Sequence, residues 1–309
     1  MSNRRLFHRT ICIFFFFLLQ ASLAFSAQTD QLQVAVSILP QSYFAEQIGG
    51  DRVEVMVVVP PGSSPATYEP KPSQMVRMER SELYLSIGVP FERAWLDRLR
   101  SANERMRVVS CGQGIERRAM QTGLKEAPAA SRQSFSARSR SGTKHGEAGL
   151  DPHIWLSPPL ARVMAMNIRD AFISEDPDHA EVYQSRYLEL ARKINDLDNE
   201  LISVFSQIKG NVFLVYHPSW GYFADAYGLR QVTIELEGKQ PSPKELSRLI
   251  QFARERSIET IFVQPQFSKK PAHTIASSID ADVVALDPLA QDWPDNLARV
   301  GERIADALR

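Results

Sequence analysis

Two of the six histidines in this 309-residue chain have neighbours suited to metal chemistry. His153 sits in Asp151-Pro152-His153-Ile154-Trp155-Leu156, after a polar stretch and before an apolar helix. His217 ends an apolar strand in Val215-Tyr216-His217-Pro218. Asp287 ends another in Ala285-Leu286-Asp287-Pro288. Open α/β sheets bind ligands outside the carboxyl ends of their strands, so His217 and Asp287 stand where such a fold puts its sites. Singly, each has a plain structural explanation: a histidine at a strand end can cap the next helix, and an aspartate before proline can form a turn. Together, two imidazoles and one carboxylate are a familiar zinc ligand set. His179, after Asp-Pro-Asp at the start of a long helix, and His273, in the polar front of residues 270–279, read as solvated side chains. His145 lies in a Ser/Arg-rich stretch.

Other chemistry has little support. There is no His-Glu-x-x-His and no Gly-x-Ser-x-Gly element, so the chain does not read as an enzyme. A zinc hydrolase using Glu69 as base is the enzymatic alternative, since three protein ligands and one open position describe catalytic zinc. Lys and Arg total 36, as do Asp and Glu, which gives no electrostatic reason to expect nucleic acid. With 44% hydrophobic and 23% charged residues, the composition excludes a mostly disordered chain.

Alternating strands and helices must position these residues. Residues 1–26 come first: Arg4, Arg5 and Arg9, an apolar run at 11–19, then small residues, the layout of a cleaved signal peptide with cleavage near 24–27. Its removal takes away three Arg and no acid, leaving 33 basic against 36 acidic residues, and takes Cys12, so Cys111 has no disulfide partner. The expected product is soluble, exported and periplasmic.

Residues 27–178 read as an N-terminal lobe, with strands at 32–39, 53–59, 83–88 and 107–111 separated by helical segments. Within it, residues 112–150, Ser/Arg-rich at 131–142, read as a mobile surface loop. Residues 179–208 carry Tyr183, Tyr187, Leu190, Ile194, Leu197, Leu201, Val204 and Ile208 at alternating spacings of four and three, one face of a long linking helix. Residues 209–309 resume the βα alternation, with strands at 211–217, 231–236, 259–266 and 282–286. Helix 242–257 opens on Ser242, Pro243 and Glu245, a capping box. The fold class expected is α/β, two βα lobes with parallel sheets joined by one long rigid α-helix.

Over nearly all of the mature chain the sequence resembles the periplasmic zinc/manganese-binding proteins of ABC transporters. The resemblance is carried by several motifs in order: residues 34–40; Pro61-Gly62 through Tyr68-Glu69-Pro70; Asp151 through Leu156; Tyr216-His217 with Trp220-Gly221-Tyr222-Phe223; Glu237-Gly238 with Pro241-Ser242; residues 262–267; and Leu286-Asp287-Pro288. It implies the metal-type solute-binding fold, with Zn²⁺ held between the lobes (Mn²⁺ or another divalent metal being possible). It implies delivery of that metal to an ABC permease and its ATPase at the inner membrane by a monomer. His153, His217 and Asp287 match family ligand positions, and histidine at 217 matches the zinc-preferring branch.

One position departs from the pattern. Where the family has a histidine before x-Tyr-Glu-Pro, this chain has Ala66, which carries no donor atom. Three alternatives follow: water completes the shell, Glu69 or His145 replaces the lost ligand, or the site is degraded or altered and serves another metal, another ligand or an adhesive role.

Overall fold

The computed structural model describes residues 31–120, 123–124, 149–235, 239–267 and 270–309. Residues 1–30, His145 and the Ser/Arg-rich residues 131–142 lie outside them.

The first sheet takes β1 (Leu32–Val36), β2 (Val53–Val57), β3 (Leu83–Ser86) and β4 (Arg107–Ser110) in the order β2-β1-β3-β4, all parallel. Its crossovers carry α1 (Leu39–Gly49), α2 (Pro72–Met78) and α3 (Pro90–Ala102). Parallel strands need such crossovers, and their buried faces explain the apolar Val/Ile/Leu runs seen in the sequence. The second sheet takes β5 (Val212–Val215), β6 (Arg230–Thr233), β7 (Thr260–Val263) and β8 (Asp282–Ala285) in the order β6-β5-β7-β8, again parallel. Helices α6 (Gly221–Ala226), α7 (Pro243–Glu255) and α8 (Lys270–Ile279) connect its strands.

Between the two sheets run α4 (Pro158–Glu175) and the linking helix α5 (Ala180–Ser206), and α9 (Trp293–Leu308) closes the chain. At 27 residues α5 is about 40 Å long. Tyr183, Leu190, Ile194, Leu197 and Leu201 are buried along it, as the spacing predicts, together with Phe205. It packs against α1 and α4 on the first lobe's side and against α9 on the second's. Gly301 of α9 permits one of these contacts: a Cβ there would fall 2.2 Å from a Leu201 methyl.

The capping signal that opens helix 242–257 is borne out. Ser242 Oγ accepts from Glu245 N–H while Ser242 N–H donates to the Glu245 carboxylate, with Pro243 opening α7. His179 departs from the solvated reading. It is half-buried before α5, with Nδ1 2.8 Å from Asp176 Oδ1 and 3.1 Å from Arg52. His273 is exposed, as expected. Residues flanking the Ser/Arg-rich stretch are tied down: Ala119 and Leu150 form an antiparallel bridge, and Gly123 N–H donates to Thr233 Oγ1.

Candidate metal site

His217 follows β5 by two residues, and its backbone is clamped on both sides by one side chain. The Gln264 carboxamide accepts from His217 N–H at 3.0 Å and donates to its carbonyl at 2.9 Å. Phe267 stacks on the imidazole at 4.6 Å between ring centres. Glu235, two residues beyond β6, is buried and places Oε2 3.1 Å from His217 Nδ1. Since β6 is the lateral neighbour of β5, equivalent positions past their ends fall side by side.

His153 enters from the first lobe, just before a single 3-10 turn at Ile154–Leu156. Asp151, fully buried, accepts from His153 N–H at 3.0 Å and lies 2.7 Å from its Nδ1. Burial lowers the His153 pKa below the ordinary imidazole value, although the Asp151 hydrogen bond and charge work the other way. The ring is therefore neutral near neutral pH, the form that ligates metal. The turn is pinned to the second lobe: Trp155 Nε1 donates to the Pro288 carbonyl and Trp293 Nε1 to the Trp155 carbonyl, each at 2.7 Å.

The two imidazoles meet. Their ring centres are 5.5 Å apart, and both line a cavity of about 70 Å³. Each has Nδ1 against a buried carboxylate, leaving Nε2 as the nitrogen for a metal. A second carboxylate–histidine bond of this kind fixes tautomer and orientation in metal sites. Ala66 lines the same cavity, so the position without a donor faces the two rings. Glu69 is exposed and is not among the lining residues. His145 falls outside the described residues.

Asp287 lines a neighbouring cavity of about 350 Å³. Its Oδ1 accepts from Gln266 Nε2 at 2.8 Å and Leu289 N–H at 2.9 Å, and its carbonyl accepts from Asn296. Gln266 lines both cavities, and its Oε1 is buried without a hydrogen-bond partner. The separation has a topological cause. Strand β7 lies between β5 and β8, so the ends bearing His217 and Asp287 are about 10 Å apart. Among the described residues, no three His, Cys, Asp or Glu groups converge closely enough to hold one ion. The structure thus brings His153 and His217 together, with Asp287 one strand further off.

Asp151, Glu235, Gln264 and Gln266 escaped the sequence reading as parts of the site. Three of them sit just past strand ends, as His217 and Asp287 do, and that shared placement was the available signal.

Two parallel-sheet lobes spanned by one packed helix, with imidazoles from both halves facing each other, define a metal-type solute-binding protein. The family described as ZnuA, zinc-uptake complex component A periplasmic, matches residues 34–307, and the chain belongs to it. Members of this family are metal carriers rather than enzymes, so the hydrolase alternative falls with that membership.

The solved crystal structure of ZnuA aligns with a TM-score of 0.80 and 38% identity, covering 91% of this chain and all of that one. The high-affinity zinc uptake system protein ZnuA of Bacillus subtilis is 28% identical, over 84% of this chain and 79% of its own length. A putative metal-binding protein of Chlamydia muridarum is 28% identical over 89% of this chain and 91% of its own. Among the described residues no helix is long and apolar enough to cross a membrane.

Proposed function

We propose that this protein captures Zn²⁺ between its lobes and hands it to an ABC permease powered by an ATPase, working in the periplasm as a monomer after loss of a signal peptide near residues 24–27. The observation that carries the reading is the pair of facing imidazoles from opposite lobes, each held at Nδ1 by its own buried carboxylate. Zinc is tetrahedral with Zn–N near 2.0–2.1 Å, so two ligating nitrogens stand about 3.4 Å apart. Rings 5.5 Å apart between centres need only small adjustments to reach that spacing.

His153 and His217 supply Nε2, and Asp287 supplies a carboxylate oxygen by leaning across the end of β7. Water fills the place opposite Ala66. The full zinc shell then has one protein donor fewer than a closed four-ligand site, which weakens binding and eases release. Mn²⁺ is the other divalent cargo such a mixed N/O set accommodates.

Calorimetric titration of zinc in chelator-buffered solution tests this. His217→Ala is expected to lose most of the affinity, and Ala66→His to tighten binding because the new imidazole would face the other two. A His217→Ala protein that binds zinc as tightly as the parent refutes the site. No gain from Ala66→His refutes the account of the fourth position.

A further inference from the structure

Resting on that reading of the site, we propose that Arg118 is a positioning residue of the metal centre. It holds the Asp151 carboxylate under His153 while anchoring that pair to the opposite lobe. The Arg118 side chain is only 21% exposed, and its guanidinium occupies a slot built by α6 of the second lobe. It lies over the Tyr222 ring at 4.7 Å and pairs with the Asp225 carboxylate.

Gly221 makes the slot possible. A Cβ at that position would fall 1.6 Å from an Arg118 terminal nitrogen, so any side chain there would expel the guanidinium. The backbone is fastened at the same place. Tyr222 Oη accepts from Arg118 N–H and donates to the Asp151 carbonyl, both at 3.2 Å. Asp151 N–H in turn donates to the Arg118 carbonyl at 2.8 Å.

The charge pattern gives this anchor a purpose. Oδ1 of Asp151 is committed to His153, while its Oδ2 is buried with no hydrogen-bond partner. It pairs with Arg118, whose Nη2 lies 3.6 Å from Oδ2 and is likewise buried without a hydrogen-bond partner. A buried carboxylate without a countercharge is costly, so Arg118 is what allows Asp151 to stay where His153 needs it. Arg118 touches no metal ligand directly; it acts through Asp151. Groups bonded directly to a metal ligand typically change metal affinity by 10–100-fold, so Arg118, one contact further out, belongs at the lower end of that range.

The experiment is a double-mutant cycle in the full chain, using Arg118→Met, Asp151→Asn and the pair, with zinc affinity read by competition against a chromophoric chelator. Arg118→Met is expected to weaken zinc roughly tenfold, and the pair no more than Asp151→Asn alone, because both act through one carboxylate. In metal-free protein, long-range ¹H–¹⁵N spectra should show the His153 proton leaving Nδ1 for a mixture of tautomers in Arg118→Met, with partial restoration in Arg118→Lys. A merely structural arginine would lower melting temperature without moving that tautomer.

An unchanged tautomer, or losses that multiply in the double variant, overturns the proposal. Should Arg118→Met not fold, Asp225→Asn loosens the guanidinium at its exposed end and should weaken zinc in the same direction by a smaller factor; no change in affinity or tautomer overturns the proposal equally. Failure of the parent to bind zinc would sink the transport reading, while the tautomer comparison would still decide the role of Arg118.

Discussion

Replacing Glu235 by Gln tests whether the carboxylates behind the imidazoles govern affinity. The side chain keeps its size and can still accept from His217 Nδ1, so packing around the 5%-exposed residue is preserved. What disappears is the charge that favours a proton on Nδ1 and strengthens Nε2 as a donor. Substitutions of this kind cost 10–100-fold in metal affinity, about 1.4–2.7 kcal/mol.

Three features put Glu235→Gln near the lower end. Its hydrogen bond to His217 is 3.1 Å, against 2.7 Å for Asp151 and His153. His217 is the more exposed imidazole, at 17% against 10% for its side chain. Its orientation is also held independently by the Gln264 clamp and by stacking on Phe267. We expect a loss of about tenfold, or ~1.4 kcal/mol, from zinc competition titrations at pH 7.5. The metal-free melting temperature serves as control. Unchanged affinity would show that the carboxylate is incidental. A loss beyond about a thousandfold would show that Glu235 itself binds the metal, since orientation effects do not reach that size.

Two further outcomes follow from groups away from the metal. Desolvation pushes the Asp176 carboxyl up, but hydrogen bonds from Tyr183 and His179 and the Arg52 charge outweigh it and leave its pKa below the ordinary 3.8. A lowered folded-state pKa contributes stability that is present above 3.8 and lost as pH falls through the folded value. Asp176→Asn should therefore flatten the fall in melting temperature below about pH 4, and an unaltered acid limb would contradict this. Cys111 is fully buried, and burial pushes its thiol up to about 12. It should stay unreactive toward a disulfide reagent at pH 8 until the protein unfolds, so stoichiometric labelling of native protein would count against this packing.

The parts of the fold set by local pattern were legible in the sequence. The four-three spacing from Tyr183 to Leu201 marks the buried face of α5, and Ser242 with Glu245 marks the start of α7. The strand-end positions of His217 and Asp287 were legible too, because apolar runs end sharply before them. Their spatial relation was not. It depends on the lateral order β6-β5-β7-β8, which no local periodicity encodes. That order puts Glu235 and Gln264 on either side of His217, although both fall inside stretches whose pattern marks only strands. It also inserts β7, with Gln266 just beyond it, between His217 and Asp287, which stand alike at strand ends in the sequence. Asp151 opens the motif that contains His153, yet its pairing depends on a turn that bends the chain back within two residues.

The arrangement bears on how such a carrier can bind and still release. Each imidazole is oriented by a buried carboxylate, and the backbone of each histidine is held by a side chain, Asp151 for His153 and Gln264 for His217, so metal binding need not freeze loose side chains. Preorganisation of that kind removes an entropic cost that binding would otherwise carry. The Trp155–Pro288 and Trp293–Trp155 bonds tie the loop bearing His153 to the strand end bearing Asp287, and α5 packs against helices of both lobes. Large hinge opening would break these contacts. On the proposed ligand set the adjustable element is then the Asp287 carboxylate, whose Oδ1 hydrogen bonds to Gln266 and Leu289 compete with a metal for the group. With no donor at Ala66, the strength of the grip rests on that competition. Gln266→Leu, which removes one competing donor without touching either imidazole, should therefore tighten zinc binding; looser binding in the same chelator competition would mean that Gln266 holds Asp287 ready for the metal rather than away from it.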